Sequence, residues 1–310
     1  VPFVKKKFYA PVKQKAFLFL IRELHYKQQE AQRLIAKGRL LVAGVPMTHT
    51  AGFVEGDFEF IYFEPITKSL QPLFQTEDFV LFDKPSGLLI HPQSRHTPYS
   101  LLDEIRYQFG RDANITHRID QETSGLVLAA KHKESERDLK ILFQERQIQK
   151  YYLAFVHGKV ENCLHINAPL LREKSKRSSV RTIVTVNEHG KSSETVITPL
   201  HYYPKHHVTL VEAKPLTGRQ HQIRVHLFHV KHPIVGDPIY GQEAKDIVKF
   251  LDKKISANSR IRKSGASRLL LHAYKLEFTY GNSYAITSAF PFIDEAIKAM
   301  QSHVSRETIL

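Results

Sequence analysis

Cysteine is almost missing from this chain: Cys163 stands alone among 310 residues. A single thiol excludes an internal disulfide framework and a thiolate metal cluster, and it makes a reducing, cytoplasmic setting the expectation. Long hydrophobic runs are missing too. No stretch reaches the ~18 apolar residues that a membrane span needs. Val1–Lys15 is basic but has neither the continuous apolar core nor the small-residue cleavage site of a signal peptide. There is no Gly-rich phosphate loop and no cysteine pair, so neither a nucleotide cofactor nor a zinc finger is expected. Acidic residues are outnumbered, 31 against 45 Lys plus Arg, for a net charge of +14. A field of that sign favours nucleic acid, a phosphate-bearing substrate or an acidic membrane, and charge alone does not choose among them. The 42% hydrophobic and 25% charged content is that of a soluble globular protein. The length allows one large domain or two unequal ones.

Two parts separate along the chain. In the first, Phe17, Leu18, Leu20, Ile21 and Leu24 recur at helical spacing. Gln28–Lys37 reads as a second helix with Ala31, Leu34 and Ile35 on one side, stopped by Gly38. Strands follow at Leu40–Gly44 and Phe58–Phe63. The proline-bounded stretch 65–73 reads as a linker, so the expected boundaries are 1–64, 65–73 and 74–310. Beyond the linker, strand-like segments fall at Phe79–Phe82, Leu88–Ile90, Ile115–Arg118, Gly125–Ala130, Tyr151–Val156, Val180–Val186, Thr195–Tyr203, Val208–Ala213, Leu269–Phe278 and Tyr284–Ser288. Helices are expected over Leu101–Phe109, Glu136–Phe143 and Ile293–Met300. Many β-branched and aromatic strands with few long helices predict an α+β fold with a mostly antiparallel sheet. The polar, basic stretch Arg172–Ser179 has no apolar face and reads as a mobile loop.

The chemistry-bearing text is His117-Arg118-Ile119-Asp120-Gln121-Glu122-Thr123-Ser124-Gly125, a polar turn opening into the apolar run Leu126–Ala130. An isolated Asp-containing turn is usually a cap or a solvated bend. Here five further segments accompany it: Lys84-Pro85-Ser86-Gly87, Lys150-Tyr151-Tyr152-Leu153-Ala154, Thr217-Gly218-Arg219-Gln220-His221-Gln222-Ile223-Arg224, His232–Gly241 and Arg268–Ala273. Period-two alternation puts Lys150, Tyr152, Ala154 and Val156 on one strand face. Tyr151 then falls on the opposite face, where a core tyrosine is the plainer reading. Arg224 lies at the border of a helix side carrying Ile223, Leu227 and Val230, from which it can reach inward.

Together these segments resemble the RluA-type pseudouridine synthases. The central segment fits H-R-L-D-x-x-T-S-G at each fixed position except Ile119, and Thr217–His226 fits T-G-R-x-H-Q-[IL]-R-x-H. The resemblance implies a pseudouridine synthase fold with a mostly antiparallel mixed sheet and flanking helices. It implies RNA isomerisation without a cofactor or metal, with Asp120 as the catalytic carboxylate, Arg224 paired to it and Tyr152 beside the base. It also implies RNA contacts at Arg118, Arg219, His221 and Leu271. Such a reaction breaks the ribose C1′ to uracil N1 bond and joins C1′ to C5, which asks for one ionised carboxylate to attack C1′ or to deprotonate C2′. The first part resembles a small S4-like α/β RNA-binding domain, with Lys27-Gln28-Gln29 where that family often has Ser-Arg. Large-subunit ribosomal RNA is the first expectation for substrate and transfer RNA the second, met by a cytoplasmic monomer with no membrane partner.

Competing readings are weaker on the residues. The histidines at 221, 226, 229 and 232 lack the acidic companion of a helical zinc site. His117–Asp120 is superficially similar to a kinase catalytic loop but has no Gly-rich loop or D-F-G segment. A glycoside hydrolase would want two carboxylates, and Glu122 occupies a variable position of the motif. A non-catalytic RNA-binding protein on the same fold would not need Asp120, Tyr152 and Arg224 together.

Overall fold

The computed structural model describes residues 2–174, 182–252 and 254–304. Its contacts divide the chain into two compact units: residues up to Lys68 together with His91–Tyr107, and Ser69–Ile90 together with the chain from Gln108 onward.

The first unit opens with a strand that the sequence pattern hides, β1 (Phe3–Lys15). Lys5, Lys6 and Lys7 break its apolar alternation, yet Phe8 and Ala10 point inward. Helices α1 (Ala16–Leu24) and α2 (Gln28–Ala36) follow where expected. α1 ends at His25 in the left-handed region, and Gly38 takes the same conformation after α2. β2 (Leu40–Val42) and β3 (Val45–Met47) join through Ala43-Gly44, both at positive φ, the conformation of a tight hairpin turn. β4 (Phe53–Phe63) completes an antiparallel sheet of order β1-β4-β2-β3. Its core is apolar: Phe19, Leu20, Ala31 and Ile35 from the helices meet Leu40, Val54, Phe58 and Phe60 from the sheet. Within this unit Glu104 accepts hydrogen bonds from the Thr67 hydroxyl, the Lys68 amide and the Tyr99 hydroxyl.

The second unit carries β5 (Phe74–Gln75), β6 (Phe79–Lys84), the end of α3 (Leu101–Phe109), β7 (Asn114–Ile115), β8 (Ser124–Ala130), α4 (Lys133–Gln144), β9 (Gln149–His157) and β10 (Leu164–Asn167). Then come the hairpin β11 (Leu170–Lys174) and β12 (Thr182–Val186), β13 (Glu194–Tyr203), β14 (Val208–Pro215), α5 (Gln222–His229), α6 (Ala244–Leu251), α7 (Ala257–Ser264), β15 (Leu271–Tyr280), β16 (Asn282–Thr287) and α8 (Phe292–Val304). Ten strands form one sheet of order β10-β13-β14-β9-β15-β8-β6-β5, with β16 and β7 alongside. Every pairing is antiparallel except β15 with β8, so the expected mostly antiparallel α+β architecture is what the chain adopts. One face packs α5 through Ile223 and Leu227 onto Tyr152, Ala154, Val211, Ala213 and Leu271.

Some expectations fail for identifiable reasons. Leu88–Ile90 is not a strand, because the Lys84 ammonium draws the Pro85 and Leu88 carbonyls into a turn. Arg172–Lys174 end a paired strand; the rest of the expected loop, 175–179, lies outside the described residues. Tyr151 is not a core residue. Its hydroxyl donates to Glu277 at 2.9 Å, and Lys214 and Lys275 stand over its ring. Helices α6 and α7, two turns each, leave too short a pattern to read.

Candidate active site

A cavity of about 440 Å³ opens beside the start of β9. Its lining includes all seven residues expected at the site: Arg118, Asp120, Tyr152, Arg219, His221, Arg224 and Leu271. Asp120 and Arg224 are 104 positions apart in the chain, yet the Arg224 Nη1 donates to Asp120 Oδ2 at 3.0 Å.

The loop carrying Asp120 is tied down from several sides. Lys84, fully buried at the end of β6, donates to the carbonyls of Pro85, Leu88 and Gln121 at 2.9, 2.9 and 3.0 Å. Three acceptors match the three N–H bonds of an ammonium. Burial pushes its pKa down to about 7, with the Glu122 and Asp120 carboxylates pulling the other way. The Gly87 amide donates to the Gln121 carbonyl and the Ser86 hydroxyl to the Glu122 carbonyl. The Lys-Pro-Ser-Gly turn is therefore a bracket for the loop carrying Asp120. On the far side, Arg260 of α7 pairs with Glu122 at 2.7 Å and donates to the Gly236 carbonyl at 3.1 Å. The loop closes on Gly125, whose φ is +107° and where a Cβ would meet the Ala273 carbonyl at 2.2 Å. Only glycine allows β8 to come this close to β15.

Arg224 is 3% exposed and held by two acids. Its Nε and Nη2 make a fork to Asp237 at 2.8 and 2.9 Å, while its third nitrogen faces Asp120. Such a planar, bidentate grip fixes the guanidinium far better than a single contact. Asp237, completely buried, also accepts from the amides of Ile239 and Tyr240. Burial works against the charge on Arg224, but the two carboxylates outweigh it and raise its pKa above the ordinary value. Asp120 is about a quarter exposed, so its carboxylate faces the cavity. Burial would raise its pKa; His221, Arg224 and Lys84 more than offset this and hold it below the usual carboxylate range. Burial also lowers the pKa of His221, whose Nδ1 bonds the Tyr240 hydroxyl at 2.9 Å. His221 is therefore neutral at neutral pH, and Arg224 is the cation that keeps Asp120 ionised there.

Tyr152 is 9% exposed and on the cavity face of β9, as the alternation required. Burial, then the neighbouring Asp120, raises its pKa, so it is a neutral phenol. Leu271 supplies an apolar wall. Arg118 is exposed at the cavity, and Arg219 spends its Nε on the Ser192 carbonyl at 3.2 Å. Gln222 holds the start of α5 by accepting from the Thr217 hydroxyl and the Arg219 amide. His117 stacks on Phe143 at 4.3 Å and accepts from the Leu128 amide. Burial, then the charge on Lys150, lowers its pKa to about 3. Of the clustered histidines, His226 is fixed between Thr195 and the Ala168 carbonyl, and His232 bonds the His157 carbonyl. Sequence reasoning missed Asp237, Lys84 and Arg260. The signal for Asp237 was available: an acid inside the otherwise apolar, proline-bounded run 233–240 needs a cation.

Comparison with known proteins adds a family to this geometry. Residues 78–229 match the family described as RNA pseudouridylate synthase. An "Uncharacterized RNA pseudouridine synthase" from Helicobacter pylori is 39% identical over 293 residues, 94% of this chain and 97% of the relative. "Ribosomal large subunit pseudouridine synthase C" from Vibrio vulnificus is 37% identical over 211 residues, which is 67% of this chain and 61% of that protein. Among solved structures, human RNA pseudouridylate synthase domain containing 1 superposes with a TM-score of 0.58 at 26% identity, over 77% of this chain and 97% of that one.

Proposed function

This chain belongs to the RNA pseudouridylate synthase family, and on that premise we propose that it isomerises uridines of large-subunit ribosomal RNA with Asp120 as the reacting carboxylate. The enzyme class is that of an isomerase acting on RNA. The observation that carries the residue assignment is the Asp120 carboxylate, facing a cavity and kept ionised by an arginine that Asp237 holds in a fork. A dry pocket alone would neutralise a carboxylate; a fixed cation prevents it. In the reaction the C1′–N1 bond breaks, the base turns, and C1′ joins C5. C5 gives up a proton and N1 takes one, so the composition of the RNA does not change.

Tyr152 borders the base, Leu271 walls it, and Arg118 holds the space the flipped nucleotide leaves. Arg219 and His221 line the way in. The ribosomal substrate is supported by the relatives named for the ribosomal large subunit. Residues 1–64 are proposed as the S4-like RNA-binding part, its helix pair exposing Arg22, Lys27, Arg33 and Lys37. A cytoplasmic setting is proposed on the single cysteine, a thiol that a reducing compartment leaves free.

The test is pseudouridine mapping in ribosomal and transfer RNA with wild-type protein and with Asp120→Asn. Isomerisation should vanish in the variant while RNA affinity stays nearly unchanged. A variant keeping more than about a tenth of the wild-type rate, a barrier change under ~1.4 kcal/mol, would reject the role of Asp120. Modification of transfer RNA alone would overturn the ribosomal assignment.

A further inference from the structure

The cavity is electrostatically lopsided. At its floor one guanidinium, Arg224, meets two carboxylates, Asp120 and Asp237, beside a neutral His221. With Lys84 also acting on Asp120, these charges are matched among themselves, and the cluster offers an anion no free cation. Away from the floor stands Lys150, two residues before Tyr152 on the same face of β9, a separation of about 6.8 Å along an antiparallel strand. Pairing of β14 with β9 ends at Ala213 and Tyr152, so Lys150 lies past the last rung, where Pro215, Thr217 and Gly218 line the cavity. The ammonium sits 3.6 Å from the point where a side chain on Gly218 would begin. Its titratable neighbours are another cation, Arg146, and the neutral His117. Among the described residues, no carboxylate pairs with it. Burial and then Arg146 lower its pKa, as befits a half-buried cation without compensation.

We propose that Lys150 is an anion subsite of the cavity and takes the phosphodiester adjoining the target uridine. The inference rests on the RNA-isomerase reading and adds to it the part of the substrate that Lys150 meets. A nucleotide has the same polarity as the cavity: a neutral base and sugar, and an anionic phosphate. The floor, its cations already spent on carboxylates and carbonyls, leaves the phosphate to Lys150, and holding it there turns the ribose toward Asp120. Lys84, a buried lysine of the same unit, cannot do this, because its three N–H bonds are spent on carbonyls.

The test is direct binding, which does not depend on turnover. A uridine-bearing stem-loop RNA is titrated by fluorescence anisotropy with wild type, Lys150→Met and Lys150→Arg. The same RNA is then used with one phosphodiester at a time replaced by a neutral methylphosphonate. Lys150→Met should weaken binding about tenfold, the scale of one charge-assisted contact. Its salt slope should become shallower by roughly 0.7 to 0.9, one phosphate's worth. Lys150→Arg should keep most of the affinity. One linkage beside the target uridine should cost wild type a similar factor when neutralised and cost Lys150→Met nothing. Because that scan on wild type needs no variant, a poorly folding Lys150→Met leaves it intact, with Lys150→Gln as the second variant. Unchanged affinity and slope in Lys150→Met, or no single sensitive linkage in wild type, would overturn the proposal. Tight, Lys150-dependent binding without any pseudouridine formed would overturn the catalytic reading instead.

Discussion

Residues 2–68 and the second unit are stabilised in different ways. Among the described residues of 2–68 no buried side chain is polar: Phe19, Leu20, Ile35, Leu40, Phe58 and Phe60 fill the space between helices and sheet. The second unit buries Lys84, Arg224, Asp237, His226 and His272. Apolar burial contributes in proportion to area and is indifferent to protonation. Buried ions cost desolvation and are tolerated only when each is matched. The matched ions cluster on the two loops that meet at the cavity. The difference teaches that buried ions at the cavity are matched where a carboxylate must be held charged, while the core between the helices and sheet of residues 2–68 carries none.

The largest test of that contrast is Arg224→Met. It leaves Asp237 buried without its cation and Asp120 without its neighbour, and breaking a buried pair of this kind costs about 3–5 kcal/mol. Asp120 has a folded pKa below its ordinary value near 3.9. Its contribution is therefore complete above that unfolded value and is lost as pH falls through the folded one. The stability gap between wild type and variant, followed by urea unfolding, should narrow as pH drops below about 4. In the pH–rate profile the acid limb of the variant should move to higher pH, because burial then acts on Asp120 with less opposition. An unmoved acid limb would mean that Arg224 only fills space.

Leu20→Ala sharpens the comparison from the other side. Leu20 is fully buried in the dry core, and its truncation should cost about 3 kcal/mol. Between pH 5 and 9 this cost should stay constant in urea unfolding, since no titrating group is near it in that core. A cost that varied with pH as steeply as that of Arg224→Met would erase the distinction between the two regions.

How much of this could be read from the sequence follows the same division. Helices α1 and α2 were legible because apolar residues recur at helical spacing and Gly38 stops the second. β1 was not, since three consecutive lysines on an edge strand mask the period. At the cavity, Asp120, Tyr152 and Arg224 were legible because motifs flag them, although their meeting is a matter of tertiary structure. Asp237, Lys84 and Arg260 were not assigned. Their work is done through backbone carbonyls, amides and one another, which leaves no spacing rule to detect. The turn after Lys84 shows the limit of pattern reading. Leu88–Ile90 is apolar enough for a strand, and a buried ammonium takes the carbonyls instead.

The smallest expected effect concerns the exposed face of the first unit. Deleting this unit would be a poor test, because a cut at Ser69 removes Thr67 and Lys68 from Glu104. Replacing Arg22, Lys27, Arg33 and Lys37 with Gln leaves the apolar core and Glu104 in place. These side chains are exposed, so stability should change little. Affinity for ribosomal RNA should fall only about threefold, with a salt slope shallower by less than the ~0.9 expected for each phosphate fully neutralised. The loss is small because α2 opens on Lys27-Gln28-Gln29, and because Glu23 and Glu30 on the same two helices offset part of the positive field. The rate on a short stem-loop at saturating concentration should be unaffected, since these residues supply no group to the cavity. If affinity and slope were both unchanged, the helix pair would be a structural cap, and RNA binding would belong to the second unit alone.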